Sequence, residues 1–409
     1  MQPDARGAAA ASWRRVAVIL WASLIVAVCV RGAIQQNTHS LYPTFAAAGA
    51  HWLDGTSLYY WAGTEPGLEP YRYSPLVAAL LVPFDLLPSA AGSVAWRLLN
   101  AGVLLVGMAA WLRSPLPWQL SAVQRALMYL IVLPLALGSL NNGQANPLVV
   151  GLLLLTVAAA GAERWNLAAV AMALATALKV YPFALGLLLA AAYPRRFALR
   201  LALALVAVAA LPFALQAPAY VSGQYAEWFR VLSEDERKFW PLHMAYRDLW
   251  LLFRVTHLPI SPRIYQVIQV LSGGACAVVC VALRWRKFQA ASVLTAVFTL
   301  GTCWMTLCGP ATESSTFVLI APALSLGLLA AKFEDWRAPL RWLPAMAAVL
   351  LSIGILAGLT RSTANIHSLG IQPLAALLLF TAYFAVYVRA LRANSTRMLE
   401  AVPGPAQAA

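Results

Sequence analysis

The sequence predicts an all-α protein: a polytopic transmembrane helical bundle of about 12 spans with two large outer loops. Three observations predict it. Of 409 residues, 61% are hydrophobic and only 11% are charged, against about 25% charged in an ordinary soluble domain. The mean hydropathy is +0.72, and the apolar residues fall in runs on the scale of a bilayer core. The 29 basic residues gather in short clusters between those runs. A soluble globule cannot hide so much apolar surface behind so few charges, so soluble enzymes, nucleic-acid binders, secreted disulfide scaffolds and disordered chains are excluded. The net charge of +14 reads as the positive-inside pattern, not as a nucleic-acid interface. The cysteines Cys29, Cys276, Cys280, Cys303 and Cys308 lie in or beside apolar runs without metal-like spacing and read as small core residues.

In chain order, the first apolar run, Trp13 to Val30, follows Arg14 and Arg15 and lacks a small-x-small cleavage site. It reads as an uncleaved first span with its N-terminus inside. Residues 32–74 are polar, aromatic and poor in basic residues, which places them outside. Further runs follow at about 75–88, 91–112, 122–140, 145–163, 166–193, 197–214, 264–283, 289–308, 314–331, 342–359 and 370–390. Basic clusters at Arg195/Arg196/Arg200, Arg284/Arg286/Lys287, Lys332/Arg337/Arg341 and Arg389/Arg392/Arg397 mark the inside. The second long loop, 215–262, carries no net charge bias and falls outside. Run 75–88 is short for a span, and run 166–193 is interrupted by Lys179 and Pro182. Either the first spans and the second is one long helix, or the first is half-inserted and the second bends back at Lys179. Both give 12 spans with both termini inside. The second is preferred because it puts Arg113, Arg125 and Arg164 inside. The chain reads as one membrane domain, 1–392, with a disordered cytoplasmic tail at 393–409.

Five constellations could carry chemistry. In the first outer loop, residues 42–53 suit a short amphipathic interfacial helix with Tyr42, Phe45, Gly49, Trp52 and Leu53 on one side, followed by Asp54-Gly55 and later by Tyr71-Arg72-Tyr73-Ser74-Pro75. Asn141-Asn142-Gly143-Gln144-Ala145-Asn146-Pro147 is either a tight turn with Asn146 as N-cap or a set of amides facing a polar ligand. Lys179-Val-Tyr181-Pro182 sits inside an apolar stretch, where a lysine is costly and usually functional. Pro182 suggests a break lining a cavity. His243-Met-Ala-Tyr246-Arg247-Asp248 ends the second loop. Glu313, in Gly309-Pro310-Ala-Thr312-Glu313-Ser314-Ser315, is the only acid between Asp248 and Glu334. Together these read as one outward-facing polar cavity suited to a sugar on a lipid phosphate, with amides and aromatics for the sugar and Lys or Arg for the phosphate.

The order of these residues resembles glycosyltransferase family 87. The matching residues are Ala-Gly-x-x-Trp-Leu-x-Gly-x-x-Leu-Tyr at 48–59, Tyr-Arg-Tyr-Ser-Pro at 71–75, Gly-Gln-x-Asn-Pro at 143–147 and Lys-x-Tyr-Pro at 179–182. The resemblance covers about residues 13–330. It implies a GT-C-like fold and a metal-independent, inverting transferase in the bacterial inner membrane. The donor implied is a polyprenyl-phosphate hexose, often mannose, with no further cofactor. The acceptor would be a glycan, lipid or protein, and the alternative is a non-catalytic protein that binds or carries a lipid-linked sugar. The family usually has an Asp just ahead of the residues matching Tyr42 to Phe45. Here Asn37-Thr38-His39-Ser40-Leu41 holds no acid. The candidate general bases are therefore His39, Glu313 and Asp54. The expected substrate-binding residues are Arg72, Tyr73, Asn141, Gln144, Asn146, Lys179, Tyr181, His243 and Arg247.

Overall fold

A computed structural model describes residues 3–35, 40–59, 68–234, 236–331, 336, 340–359, 366 and 368–393. The described residues form sixteen α-helices: α1 (Pro3–Ile34), α2 (Tyr42–Asp54), α3 (Pro75–Asp85), α4 (Ser89–Arg113), α5 (Ala122–Asn141), α6 (Asn146–Gly161), α7 (Trp165–Leu178), α8 (Phe183–Ala192), α9 (Leu199–Leu215), α10 (Pro218–Ser233), α11 (Leu249–Val255), α12 (Pro262–Trp285), α13 (Ala290–Cys308), α14 (Ala321–Ala330), α15 (Leu343–Leu359) and α16 (Ile371–Ala393). Eight helical segments among them are long and apolar enough to cross a membrane. Of the expected tail, Ala393 ends α16, and residues 394–409 lie outside the described residues.

Local chemistry sets the boundaries. Ser121 starts α5 with a reciprocal cap: its Oγ accepts from Gln124 N, and Gln124 Oε1 accepts from Ser121 N at 2.8 Å. Ser261 caps α12 ahead of Pro262. Gly55 closes α2 in the left-handed region, φ 65°, its N–H returning to the carbonyls of His51 and Trp52.

Two faces are defined by contacts. At the first, the N-terminal half of α1 lies with Arg113 and Arg125, Arg196 pairs with Glu163, Trp165 packs on Tyr193 with ring centroids 5.1 Å apart, and Arg284 covers Tyr193. This is the basic face. At the opposite face, Ser93 Oγ donates to Gly32 O, Leu41 N donates to Asn142 O, Arg247 N donates to Thr312 O and Ser314 Oγ donates to Gln372 Oε1. The described parts of both long loops lie here, so this is the loop face.

Among the described residues the chain passes between the faces twelve times, through α1, α4 to α9, α12, α13, α14 with its preceding 3-10 segment (Ser314–Ile320), α15 and α16. The two readings of the short segments are thereby resolved. α3 runs from the end of α7 to the start of α4 without crossing. α7, at 14 residues and about 21 Å, stops at Lys179, and α8 returns to the basic face. The fold is all-α and polytopic, as expected. At its centre α4 and α6 cross backbone to backbone. A Cβ on Gly107 would strike Gly151, and one on Gly151 would strike the Val103 carbonyl. Only glycine permits that approach.

Three expectations need correcting. Leu53 is 50% exposed and does not share the buried face of Tyr42, Phe45, Gly49 and Trp52, because at about 3.6 residues per turn it falls at the edge of an arc centred on Phe45, Ala48 and Trp52. That face does not anchor in lipid. It packs on protein: Phe45 lies edge-on to Trp96 and Tyr73, and Tyr42 Oη donates to Phe84 O at 2.9 Å. Asn146 is not an N-cap. Ala145 holds that position, and the Asn146 side chain turns inward.

Candidate active site on the loop face

The break between α7 and α8 forms the floor. Lys179 is extended (φ −149°, ψ 140°), and Tyr181 precedes Pro182, which disfavours helical geometry before it. A helix ending inside a bilayer leaves carbonyls unpaired. One of them, Ala177 O, accepts from Ser74 Oγ at 2.8 Å. The Tyr-Arg-Tyr-Ser sequence of the first loop is thereby tied to the break. Lys179 Nζ lies 6.0 Å from the Tyr73 ring centroid and 5.7 Å from that of Tyr181, and the charges of Glu313 and Arg72 both reach it.

The wall is the turn between α5 and α6. Gln144 and Asn146 are buried, so their amides need partners. Asn146 Nδ2 donates to Gln144 Oε1 at 2.5 Å, Tyr181 Oη donates to Asn146 Oδ1 at 3.4 Å, and Ser315 Oγ donates to Gln144 Oε1. Gln144 Nε2 then donates to Glu313 Oε2 at 3.1 Å.

Three residues of α4 hold this turn from behind. Trp96 Nε1 donates to Gly143 O at 2.7 Å, Arg97 Nη2 donates to Asn141 O at 2.9 Å, and Asn100 Oδ1 accepts from Leu148 N at 3.3 Å. Arg97 is only 2% exposed. Its other bonds run to Ser93 and to Ser40 Oγ. Sequence reasoning passed over it as a lone charge within an apolar run. Asn141 enters the network through its backbone carbonyl.

Glu313 is the hub. Besides Gln144 it accepts from Arg237 Nη1 at 2.6 Å. Its own N–H donates to Thr316 Oγ1 at the start of the 3-10 segment, which fixes its backbone. Arg237 was not foreseen. It also donates from Nε to Met244 O and stacks over Tyr246, 5.1 Å from the ring centroid. Arg72 Nη1 donates to Tyr246 Oη at 2.5 Å, and Trp228 Nε1 holds the Arg72 carbonyl at 3.0 Å. Tyr246 thus joins Arg72 of the first loop to Arg237 of the second. Tyr73 is partly buried beside this group, and desolvation with the Glu313 charge pushes its phenol up, opposed by Arg72.

The remaining candidates stand apart. The Arg247 guanidinium donates to the carbonyls of Leu242 and His243, both at 2.8 Å, and burial lowers its pKa. It shapes the loop's end. His243 contributes that carbonyl while its side chain is exposed. Asp248, 6% exposed, caps α11 by accepting from Leu251 N, and burial pushes its carboxyl up to about 6. Asp54 is exposed at the end of α2. His39 lies outside the described residues.

The arrangement gathers a carboxylate, a lysine and two arginines among aromatic rings and amides, at the end of a broken helix pair. Such a site can hold a phosphate against cations and a polyhydroxyl ring against aromatics and amides. Gln144 and Arg237 each take one oxygen of the Glu313 carboxylate, and its four lone-pair positions leave room to accept a proton. The profile of glycosyltransferase family 87 matches residues 71–310, more than half of the chain. It begins just before Arg72, spans Gln144 and Lys179, and ends three residues before Glu313. No curated protein matches the chain.

Proposed function

The chain belongs to glycosyltransferase family 87 and is a membrane glycosyltransferase, and from that premise we propose that it moves a hexose, mannose first among the candidates, from a polyprenyl-phosphate donor to an acceptor on the loop face, with inversion. The single observation that carries this reading is the Glu313 carboxylate, held by Gln144 Nε2 at 3.1 Å and Arg237 Nη1 at 2.6 Å on the face where Lys179 breaks the α7–α8 pair. The basic face is cytoplasmic by the positive-inside rule, so the loop face is outside.

In this reading the donor phosphate binds Lys179 and Arg72, and its lipid chain lies between helices. The sugar stacks on Tyr73 or Tyr181 and bonds the amides of Gln144 and Asn146. An acceptor hydroxyl attacks the anomeric carbon opposite the phosphate. A carbon–oxygen bond forms, the bond from that carbon to the phosphate oxygen breaks, and its electron pair leaves with polyprenyl phosphate. The hydroxyl proton passes to Glu313. The leaving phosphate needs no general acid, because Lys179 and Arg72 offset its charge. A proton acceptor must come within about 3 Å of the reacting oxygen. Fixing by Gln144, Arg237 and the 3-10 segment orients Glu313 for that role.

The test is transfer of label from radiolabelled polyprenyl-phosphate hexoses by membranes overproducing the chain, with a panel of sugars. Release of polyprenyl phosphate with formation of a labelled product supports transfer. Donor binding without release assigns the protein to binding or carriage instead.

A further inference from the structure

On the basic face, remote from the candidate active site, a groove of about 860 Å³ opens between α1, α4 and α5. Its volume lies within the range of about 300–1,000 Å³ typical of small-molecule sites. Three arginines from three helices line it: Arg14 of α1, Arg113 at the end of α4 and Arg125 in the first turn of α5. All three are exposed, and no acidic residue is among the lining residues. Deeper in, the lining turns apolar, with Trp21, Ile25 and Leu105. Ile25 lies about 16 Å beyond Arg14 along α1. The deep end is held in shape, since Trp21 Nε1 donates to Tyr129 O at 3.0 Å.

We propose that this groove is a binding site for one anionic phospholipid of the basic-face leaflet, its phosphate held by Arg14, Arg113 and Arg125 and an acyl chain lying along Trp21 and Ile25. Each part of the groove matches one part of that molecule. Cations stand at the mouth, where a headgroup phosphate lies, and apolar walls run toward the membrane centre, where chains lie. Basic pockets between transmembrane helices on the cytoplasmic side recognise anionic headgroups in this way. Arginine supplies paired donors matched to phosphate oxygens. A neutral zwitterionic lipid would place its own ammonium against three guanidinium groups, so charge selects the occupant. Because α4 also carries Trp96, Arg97 and Asn100, the lipid would brace the helix that holds the active-site turn.

The experiment is native mass spectrometry of the detergent-purified protein titrated with phosphatidylglycerol, phosphatidylcholine of the same chains, and a polyprenyl phosphate. Each basic residue near an anionic surface contributes about fivefold, so phosphatidylglycerol is expected to bind at least roughly tenfold tighter than phosphatidylcholine. That preference should collapse in Arg113→Gln/Arg125→Gln and persist in Arg164→Gln/Arg195→Gln, which removes the same charge elsewhere on the basic face. Equal retention of the two phospholipids by the wild-type protein overturns the proposal, as does equal loss of preference in both variants. Displacement of phosphatidylglycerol by polyprenyl phosphate through the same arginines overturns the phospholipid assignment.

Discussion

Gln144, on the turn between α5 and α6, donates its side-chain amide to Glu313 Oε2 at 3.1 Å, across 169 residues of chain. That bond joins a turn held from behind by α4 to the acid at the head of the 3-10 segment before α14. It makes one rigid wall of two distant sequence motifs. The site's geometry therefore depends on how well the turn is held, as well as on the groups that face substrate.

Trp96 tests this dependence. Trp96→Phe keeps an aromatic ring beside Phe45 and Phe84 but removes the donor to Gly143 O, leaving a buried carbonyl unpaired. A loss of about 1–3 kcal/mol is expected. It should appear as a lower thermal midpoint in detergent, with transfer falling further than donor binding as Gln144 loosens.

Lys179 is expected to act on the donor. Lys179→Met should weaken donor binding by roughly 10- to 100-fold, the worth of a charge-assisted hydrogen bond. Lys179→Arg should weaken it less. Equilibrium binding of a radiolabelled polyprenyl-phosphate sugar to the folded variants decides, and unchanged affinity in Lys179→Met removes Lys179 from the site.

Asp248 makes a pH-dependent contribution. Its carboxyl is raised from 3.8 to about 6, so between those values the folded state binds more protons than the unfolded state. Stability attributable to this group is therefore greatest below about pH 4 and declines as pH rises through 6, by roughly 3 kcal/mol in all. Asp248→Asn retains a capping oxygen for Leu251 and needs no charge buried. It should raise the thermal midpoint at pH 7.5 and leave it nearly unchanged at pH 4.

Topology gives an independent check. Ser222 is exposed on α10 at the loop face and Arg286 is exposed at the end of α12 on the basic face. Ser222→Cys should react with an impermeant maleimide in whole cells, and Arg286→Cys only after permeabilisation. The reverse pattern would turn the site toward the cytoplasm.

Much of this architecture is legible in the sequence, because bilayer thickness and charge placement leave few arrangements. The bend at Lys179 follows from a lysine and a proline in one apolar run, together with the need to put Arg113, Arg125 and Arg164 on one side. The gathering of Arg72, Gln144, Lys179 and Glu313 was expected from their shared face. The pairings were not. Arg237 meets Glu313 across 76 residues, and no local pattern marks which of the second loop's basic residues turns inward. Arg247, which sits in the more conspicuous motif, spends its donors on its own loop. Arg97 was hidden for a different reason: one charge in a long hydrophobic helix barely changes its hydropathy, yet burial gives it four oxygen contacts on three segments. Asp54 follows the expected helix closely, but the glycine that ends that helix also turns it to solvent.

The most direct measurement is single-turnover transfer from a radiolabelled polyprenyl-phosphate hexose by Glu313→Gln, made beside donor binding to the same protein. Glutamine keeps one oxygen to accept from Arg237 Nη1, gives up the second oxygen that accepts from Gln144 Nε2, and cannot take the acceptor's proton. The account predicts a rate lower by about 10²–10⁴ with donor affinity within about twofold of wild type. Transfer at the wild-type rate by Glu313→Gln would contradict it.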